Sequence, residues 1–309
     1  MWFKHLHLYR LHDNSPGTLD ALEDALAAHA FRPVNALEAK RSGWTAPAGR
    51  GSDRLVHEIQ GHRLITLCRQ ERLLPNSVVK EVLEERVAER EAEQGYPPGR
   101  REKQTLKEQI VEELLPQAFT RTTRIDLWWD TSRRLIGIHC ASRKRAEEVL
   151  DLLRQSLGSL KVTPLAVSIP PVRTMTNWLH DATSRPDTLL LGDQVELRAG
   201  KGDEGVLRAR QVDLDSDEIL AALTAGRQAS RLALTLEEQV SLVLHEDLTL
   251  KSLRFADAII DEAQDSDDGG DPVLRMETEF ALMTHVLSGA IEQLIGWLGG
   301  EADFTPATP

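Results

Sequence analysis

The segment His57-Glu58-Ile59-Gln60-Gly61-His62 puts two imidazoles and a carboxylate within a few residues, the side-chain set of a zinc hydrolase. The spacing does not serve that chemistry. On a helix His57 and His62 would stand about 500° apart around the axis and so leave the common face that a shared metal needs. Gly61-His62 reads instead as the turn between two short strands. Asp265-Ser266-Asp267-Asp268-Gly269-Gly270-Asp271 starts like a calcium-binding loop, but Gly269 stands where a ligand is needed. Met276 takes the twelfth position, where a bidentate Glu closes such a loop. The chain has no Walker A sequence, no Gly-x-Ser-x-Gly and no Gly-x-Gly-x-x-Gly. Its many carboxylates include no pair set apart for acid/base work. The expectation is a protein that is not an enzyme, with no catalytic residue, no metal and no cofactor.

A different chemistry is written in the cations. First turns of helices favour Asp and Glu, because the macrodipole is positive there, and Asp217-Glu218 after Ser216 obeys that rule. Two other starts break it. Ser142 is an N-cap residue by type, yet Arg143-Lys144-Arg145 follows; another helix opens with Arg100-Arg101 and Lys103. Cations beside the free N–H groups of a helix start make a phosphate site. A local role competes with that one, since Glu147, Glu148 and Glu102 stand within pairing distance along the chain. Arg121 and Arg124, Arg208 and Arg210 (alternate residues of one strand), and Arg86, Arg90 and Lys107 complete the set of candidate DNA-backbone contacts. They are dispersed and carry little aromatic interleaving, which argues against stacking of single-stranded bases. No recognition helix is evident, so the expected mode is phosphate contact without base readout.

The elements that must hold these residues follow from periodicity. Residues 2–11 alternate as a strand, and a helix runs from Ser15-Pro16 to about Ala30. Arg54–Gln60 and Arg63–Arg69 form a hairpin, as do Ile125–Asp130 and Arg134–Cys140. Between them, a long polar helix capped by Asn76 or Ser77 runs to about Gln94. Gly95-Tyr96-Pro97-Pro98-Gly99 turns the chain into a second helix, Arg101–Leu115, stopped by Pro116. The apolar stripe of the first helix is thin, so the pair is expected to project as a finger. A helix follows at Ser142–Leu157. Prolines at 164, 170 and 171 suggest a boundary near 165–170. Beyond it lie strands Val206–Gln211, Arg231–Leu236, Val240–His245 and Thr249–Phe255, a helix at Asp217–Ala225, and a periodic helix from about Glu277 to Leu298. The strands lack regular helical crossovers, so the fold class is α+β with antiparallel sheets. The expected division is a central body of 1–75 with 117–167, a finger of 76–116, and a base domain of 168–309.

Composition narrows the setting. The 309 residues suffice for two domains, and 41% apolar residues support real cores. No apolar run approaches the roughly 18 residues of a membrane span, and the N-terminus alternates where a signal peptide would be continuously apolar. Cys68 and Cys140 read as two buried reduced thiols, which with the other features points to the cytosol. The net charge of −12 is unevenly spread. Residues 1–145 hold 24 Lys+Arg against 20 Asp+Glu, whereas the remaining residues hold 13 against 29. Residues 97–145 alone hold 11 basic and 6 acidic residues. An acidic chain with such asymmetry can present a local positive surface to a polyanion, although two differently solvated halves have the same composition.

The sequence also carries recognisable words in order. Trp2-Phe3-Lys4 with Tyr9-Arg10-Leu11, Gly43-Trp44 with Pro47 and Gly49, and Leu74-Pro75 with Val79-Lys80 open the series. Leu115-Pro116-Gln117-Ala118-Phe119, then 153–160, Asp213-Leu214 with Glu218-Ile219, 250–255, 280–284 and Leu298-Gly299-Gly300-Glu301 continue it. Together they resemble the bacterial recombination-associated RdgC family over nearly the whole chain. The resemblance implies an elongated subunit and a homodimer closed into a ring around double-stranded DNA, with a basic inner wall. It implies a nucleoid-associated protein, not an enzyme, that binds DNA with little sequence preference and restrains RecA. Phe119 is implied at the dimer contact near the finger, while a core position after a helix stop is the other reading of that residue. One departure stands out: the family usually carries two adjacent cations before Gln and Asp-Leu, and Arg210-Gln211-Val212 keeps one. A protein-interaction module that inhibits a recombinase or replication factor directly is the alternative from another functional class.

Overall fold

A computed structural model describes residues 1–12, 17–199, 205–265 and 269–302. The first half of the chain supplies strands β1 (His5–Leu11), β2 (Lys40–Thr45), β3 (Val56–Ile59), β4 (His62–Arg72), β5 (Thr120–Asp130), β6 (Leu135–Ile138) and β7 (Val162–Pro164). The second half adds β8 (Leu189–Ala199), β9 (Val206–Arg210), β10 (Arg227–Leu236), β11 (Val240–His245) and β12 (Leu250–Phe255). Every pairing between these strands is antiparallel, and the order β2-β4-β5-β6-β1-β12-β11-β10-β8-β9 makes one path. The path crosses from one half to the other at β1, where Tyr9 pairs Ile136 while His5 pairs Lys251. The fold is α+β, with a large antiparallel sheet.

Helices cover the sheet on both sides. On one side α1 (Leu19–Ala27) and α4 (Arg143–Leu157) lie over β1, β4, β5 and β6, burying Leu22, Leu26, Val149 and Leu153 with Tyr9, Ile65, Leu127 and Ile136. On the other, α5 (Pro171–His180), α6 (Asp217–Thr224) and α8 (Pro272–Trp297) cover β8–β12 and the facing residues of β1, β4 and β5. Period-two alternation assigns the faces: Leu6 and Leu8 belong to the α8 side, Tyr9 and Leu11 to the α4 side. Phe280, Met283, Leu287, Ile291 and Leu294 form the buried stripe of α8, as the 3.6-residue period requires.

Several boundaries and caps differ from expectation. Asp13–Pro16 lie outside the described residues; Thr18 caps α1, its hydroxyl accepting from the Ala21 N–H. Pro75, not Asn76 or Ser77, takes the N-cap position of α2 (Asn76–Gln94), its extended ψ of 137° being the geometry proline favours. Only Val79 of that helix is buried. Helix α3 (Arg100–Leu114) follows, and Arg86 and Arg90 on α2 pair with Glu113 and Glu102 on α3. Ser142 stands at the cap of α4, but its side chain makes no capping bond; its carbonyl accepts from Arg145 and Ala146. Helix α8 starts five residues before the expected Glu277, because Asp271 caps it and Pro272 suits its first position. Strands β2, β7 and β8 and helices α5 and α7 (Asp257–Asp265) were not expected. Cys68 is buried in β4, whereas Cys140 lies beyond β6 and is only half-buried; both are free thiols.

Candidate nucleic-acid interface

Alternation along β8–β12 sends apolar side chains to the helix-covered side and leaves the opposite side polar. Val195, Leu197, Leu232, Leu244 and Leu250 are in the core. Gln194, Glu196, Arg208, Arg210, Arg231, His245 and Lys251 line a groove on the other side, with His5 of β1 and Ser252. Four Arg and Lys side chains there face one carboxylate. Among the described residues no helix covers this part of the sheet on that side, since α1 and α4 lie over β1 and the strands beyond it.

The one carboxylate is the best-held group of the groove. Glu196 is 3% exposed. Its Oε2 accepts from Arg208 Nε at 2.9 Å and lies 3.1 Å from an Arg231 terminal nitrogen. Its Oε1 accepts from Arg198 Nε at 3.1 Å and from the Ser230 hydroxyl at 3.0 Å. Burial alone would push this carboxyl up, but the hydrogen bonds from Arg208 and Ser230 and the field of Arg231 win, holding it at about 2. Ser230 is the extra residue of a β-bulge, because Ala229 pairs Leu197 while Arg231 pairs Glu196. Bulges re-aim side chains at functional edges. Ser252 marks a second irregularity, with φ of 52° in the strand that carries Lys251.

Histidines show how the groove joins the first turn of α4. Burial first, then Arg231 and Lys251, push His245 down to about 4. Burial likewise lowers His7; Asp247 opposes the shift, and Lys251 and Arg143 add to it. The Cys140 thiol, pushed up to about 11 by burial, feels both Arg145 and Lys251. Lys251 thus acts on His7 together with Arg143 and on Cys140 together with Arg145, on the Tyr9 side of β1 where His5 also points. The positive chain continues beyond α4. Glu71 gathers Arg69, Arg121 and Arg145, and the hydrogen bonds from Arg69 and Arg121 hold its carboxyl at about 2.

The structure thus brings Arg143, Lys144, Arg145, Arg208 and Arg210 to one side of the sheet, with Arg121 linked through Glu71. Lys144 and Arg210 are exposed and make no ion pair among the described residues, while Arg143 pairs with Glu147 and Arg145 with Glu148. Arg124 gives its guanidinium to the carbonyls of Ala46 and Pro47. Arg86 and Arg90 are taken up within the α2–α3 pair. Arg100, Arg101, Lys103 and Lys107 are exposed on α3 and unpaired among the described residues; none is hydrogen-bonded to the groove. Phe119 is 86% exposed, which removes the core reading of that residue.

The motifs set aside earlier find ordinary partners. His57 in β3 bonds Glu277 through Nδ1 at 2.8 Å, and His62 at the start of β4 accepts from Trp128 Nε1 at 3.1 Å. Ser266–Asp268 of the acidic loop lie outside the described residues. Among the described residues no three His, Cys, Asp or Glu side chains converge as metal ligands, and no helix is long and apolar enough to cross a membrane. Glu196, Arg198, Arg231, Lys251, His5 and His245 were missed as a group. Outward-facing cations at alternate strand positions are the signal that the sequence carries, plainest at Arg208 and Arg210.

This is an α+β protein that leaves part of a large antiparallel sheet open and lines it with cations. Such a surface suits a polyanion. The family model described as "Putative exonuclease, RdgC" matches residues 1–301. "Recombination-associated protein RdgC" of Tolumonas auensis is 39% identical over 301 residues, covering 97% of this chain and 99% of its own length. The protein of the same name from Yersinia pestis strain Pestoides F is 40% identical over 302 residues, covering 98% and 99%. The chain belongs to the RdgC family of recombination-associated proteins.

Proposed function

We propose that this protein grips double-stranded DNA without reading its sequence, as a homodimer closed into a ring, and thereby restrains RecA-mediated recombination in the nucleoid. The observation that carries the reading is the open sheet face itself. A chain of net charge −12 sets four Arg and Lys side chains against one carboxylate in one groove, and the first turn of α4 on the same side adds three more cations, an excess that a phosphate backbone would reward. In this groove the reading is of binding, since its buried carboxylate already accepts from three arginines and a serine. Its lone pairs have no capacity left for a metal or a proton in transit.

The subunit plan of the family accounts for the remaining cations. Residues 1–75 with 117–167 form the body, 168–309 the base, and α2 with α3 a projecting finger whose Arg100, Arg101, Lys103 and Lys107 face the duplex. Ring closure by two-fold symmetry needs two self-complementary surfaces per subunit, and exposed Phe119 supplies an apolar anchor for one of them. That same exposure favours the second reading, direct contact with a recombinase or replication factor. Affinity for several unrelated linear duplexes, measured from low to physiological salt, separates the two. Equal affinities with a steep negative salt slope support the DNA reading. Absence of binding, or strong preference for one sequence, overturns it. Loss of duplex from the same reactions with added divalent cation would instead point to the nuclease activity that the family model's description names.

A further inference from the structure

We propose that Glu196 is a positioning residue for DNA binding: a buried anion that aims arginines from three strands at the phosphate backbone. The inference rests on the DNA reading above and deepens it. A carboxylate in a site meant for a polyanion is at first sight misplaced, since it repels the ligand and is expensive to bury. Three features of its surroundings give it a role. The first is that Arg198 of β8, Arg208 of β9 and Arg231 of β10 all converge on it. The second is that the bulge at Ser230 breaks the β8–β10 register at that point and turns a hydroxyl onto Oε1. The third is which atoms the pairing consumes. Arg208 gives Glu196 its Nε and keeps both terminal nitrogens, and Arg231 gives one terminal nitrogen and keeps the other and its Nε. These two side chains remain 62% and 40% exposed. The fork of a guanidinium engages phosphate through two parallel donors, and fixing one edge of the plane sets the direction of the other.

Two forces oppose each other at this residue, and they predict opposite signs. If Glu196 were only a countercharge, Glu196→Gln would add a positive charge to the groove, tighten duplex binding and steepen its salt dependence. If it positions the arginines, the same change frees Arg208 and Arg231 to wander, and binding weakens despite the gained charge. The experiment is a fluorescence titration of full-length wild type, Glu196→Gln and Ser230→Ala with one linear duplex from 50 to 200 mM salt, alongside thermal unfolding. The expected result for Glu196→Gln is affinity about three- to tenfold weaker and a salt slope less negative by about 1 to 2, one contact counting about 0.9. Ser230→Ala, which changes no charge, is expected to weaken binding in the same direction by less. A purely structural role would lower the melting temperature and leave the slope of the folded protein unchanged. Equal or tighter binding by Glu196→Gln overturns the proposal. If that variant does not fold, unchanged binding by Ser230→Ala overturns it. Failure of the wild type to bind any duplex is a separate result, and removes the DNA reading itself.

Discussion

Replacing Arg210 and Lys251 by alanine tests the groove with the least collateral change. Both line it, on β9 and β12, and neither is ion-paired among the described residues, so no carboxylate is stranded by their removal. Arg208 is less suitable, because its loss would leave Glu196 short of a partner. An exposed ionic contact is worth about 0.5–1 kcal/mol, so the double variant loses about 1–2 kcal/mol, or about 5- to 30-fold in affinity. Each phosphate contact adds about 0.9 to the salt slope, and the slope should therefore become less negative by about 1.8. The assay is fluorescence anisotropy with three unrelated duplexes of equal length from 50 to 200 mM salt. Because backbone contacts carry no sequence information, all three duplexes should lose affinity by one factor. A slope equal to that of the wild type would refute the assignment of these cations to phosphates, and so would a loss confined to one duplex.

Phe119→Ser should leave the melting temperature unchanged, since the ring is exposed, and shift the protein toward monomer on sizing; a lowered melting temperature with an intact dimer would contradict this. Gly43→Ala should destabilise the fold by on the order of 1–3 kcal/mol, seen as a lower melting temperature. A Cβ at that position would lie 2.5 Å from the Phe31 Cα, between the two backbone bonds that tie 29–31 to Trp44. His245 makes acid unfavourable to the fold. Its folded pKa of about 4 lies below the ordinary 6.5, so the unfolded chain binds more protons between those values and stability falls as pH drops through that window. His245→Asn should flatten part of that fall in pH-dependent melting, whereas an unchanged profile would show that His245 carries none of it.

Strict alternation made β11 legible to the residue, and the 3.6-residue stripe did the same for the inward face of α8. Arg208 and Arg210 could be placed on one face for the same reason. What stayed hidden was what depends on register between distant strands. Glu196 acquires its meaning from Arg208, Ser230 and Arg231, which reach it only through the pairing of β8 with β9 and β10. Strand β8 was itself obscured: Leu189-Leu190-Leu191-Gly192 shows no alternation, and Gly192 is there because Ala233 approaches within 2.7 Å of where its Cβ would be. Helix α5 was hidden behind Pro170-Pro171, a pair with the composition of a linker, although Pro171 at its first position starts a helix without cost. Strand β2 was missed because Lys40-Arg41-Ser42-Gly43 has the composition of a loop; its place is set by pairing to β4.

The position of β1 has a consequence for how the molecule comes into being. β6 lies along one edge of β1 while β7 and β12 share the other, β12 at His5 and Leu6; these strands come from far-separated parts of the chain, and Leu6 and Leu8 pack with residues of α8 later still. During synthesis β1 emerges before all three of these strands, and its edge at His5 and Leu6 must wait until residues 250–255 are made. Contacts of such sequence separation carry a high loop-closure cost and slow folding. The nascent protein therefore passes through a stage in which the start of β1, at His5 and Leu6, lacks its strand partner. Such an unpaired edge is a template for wrong pairing with another chain.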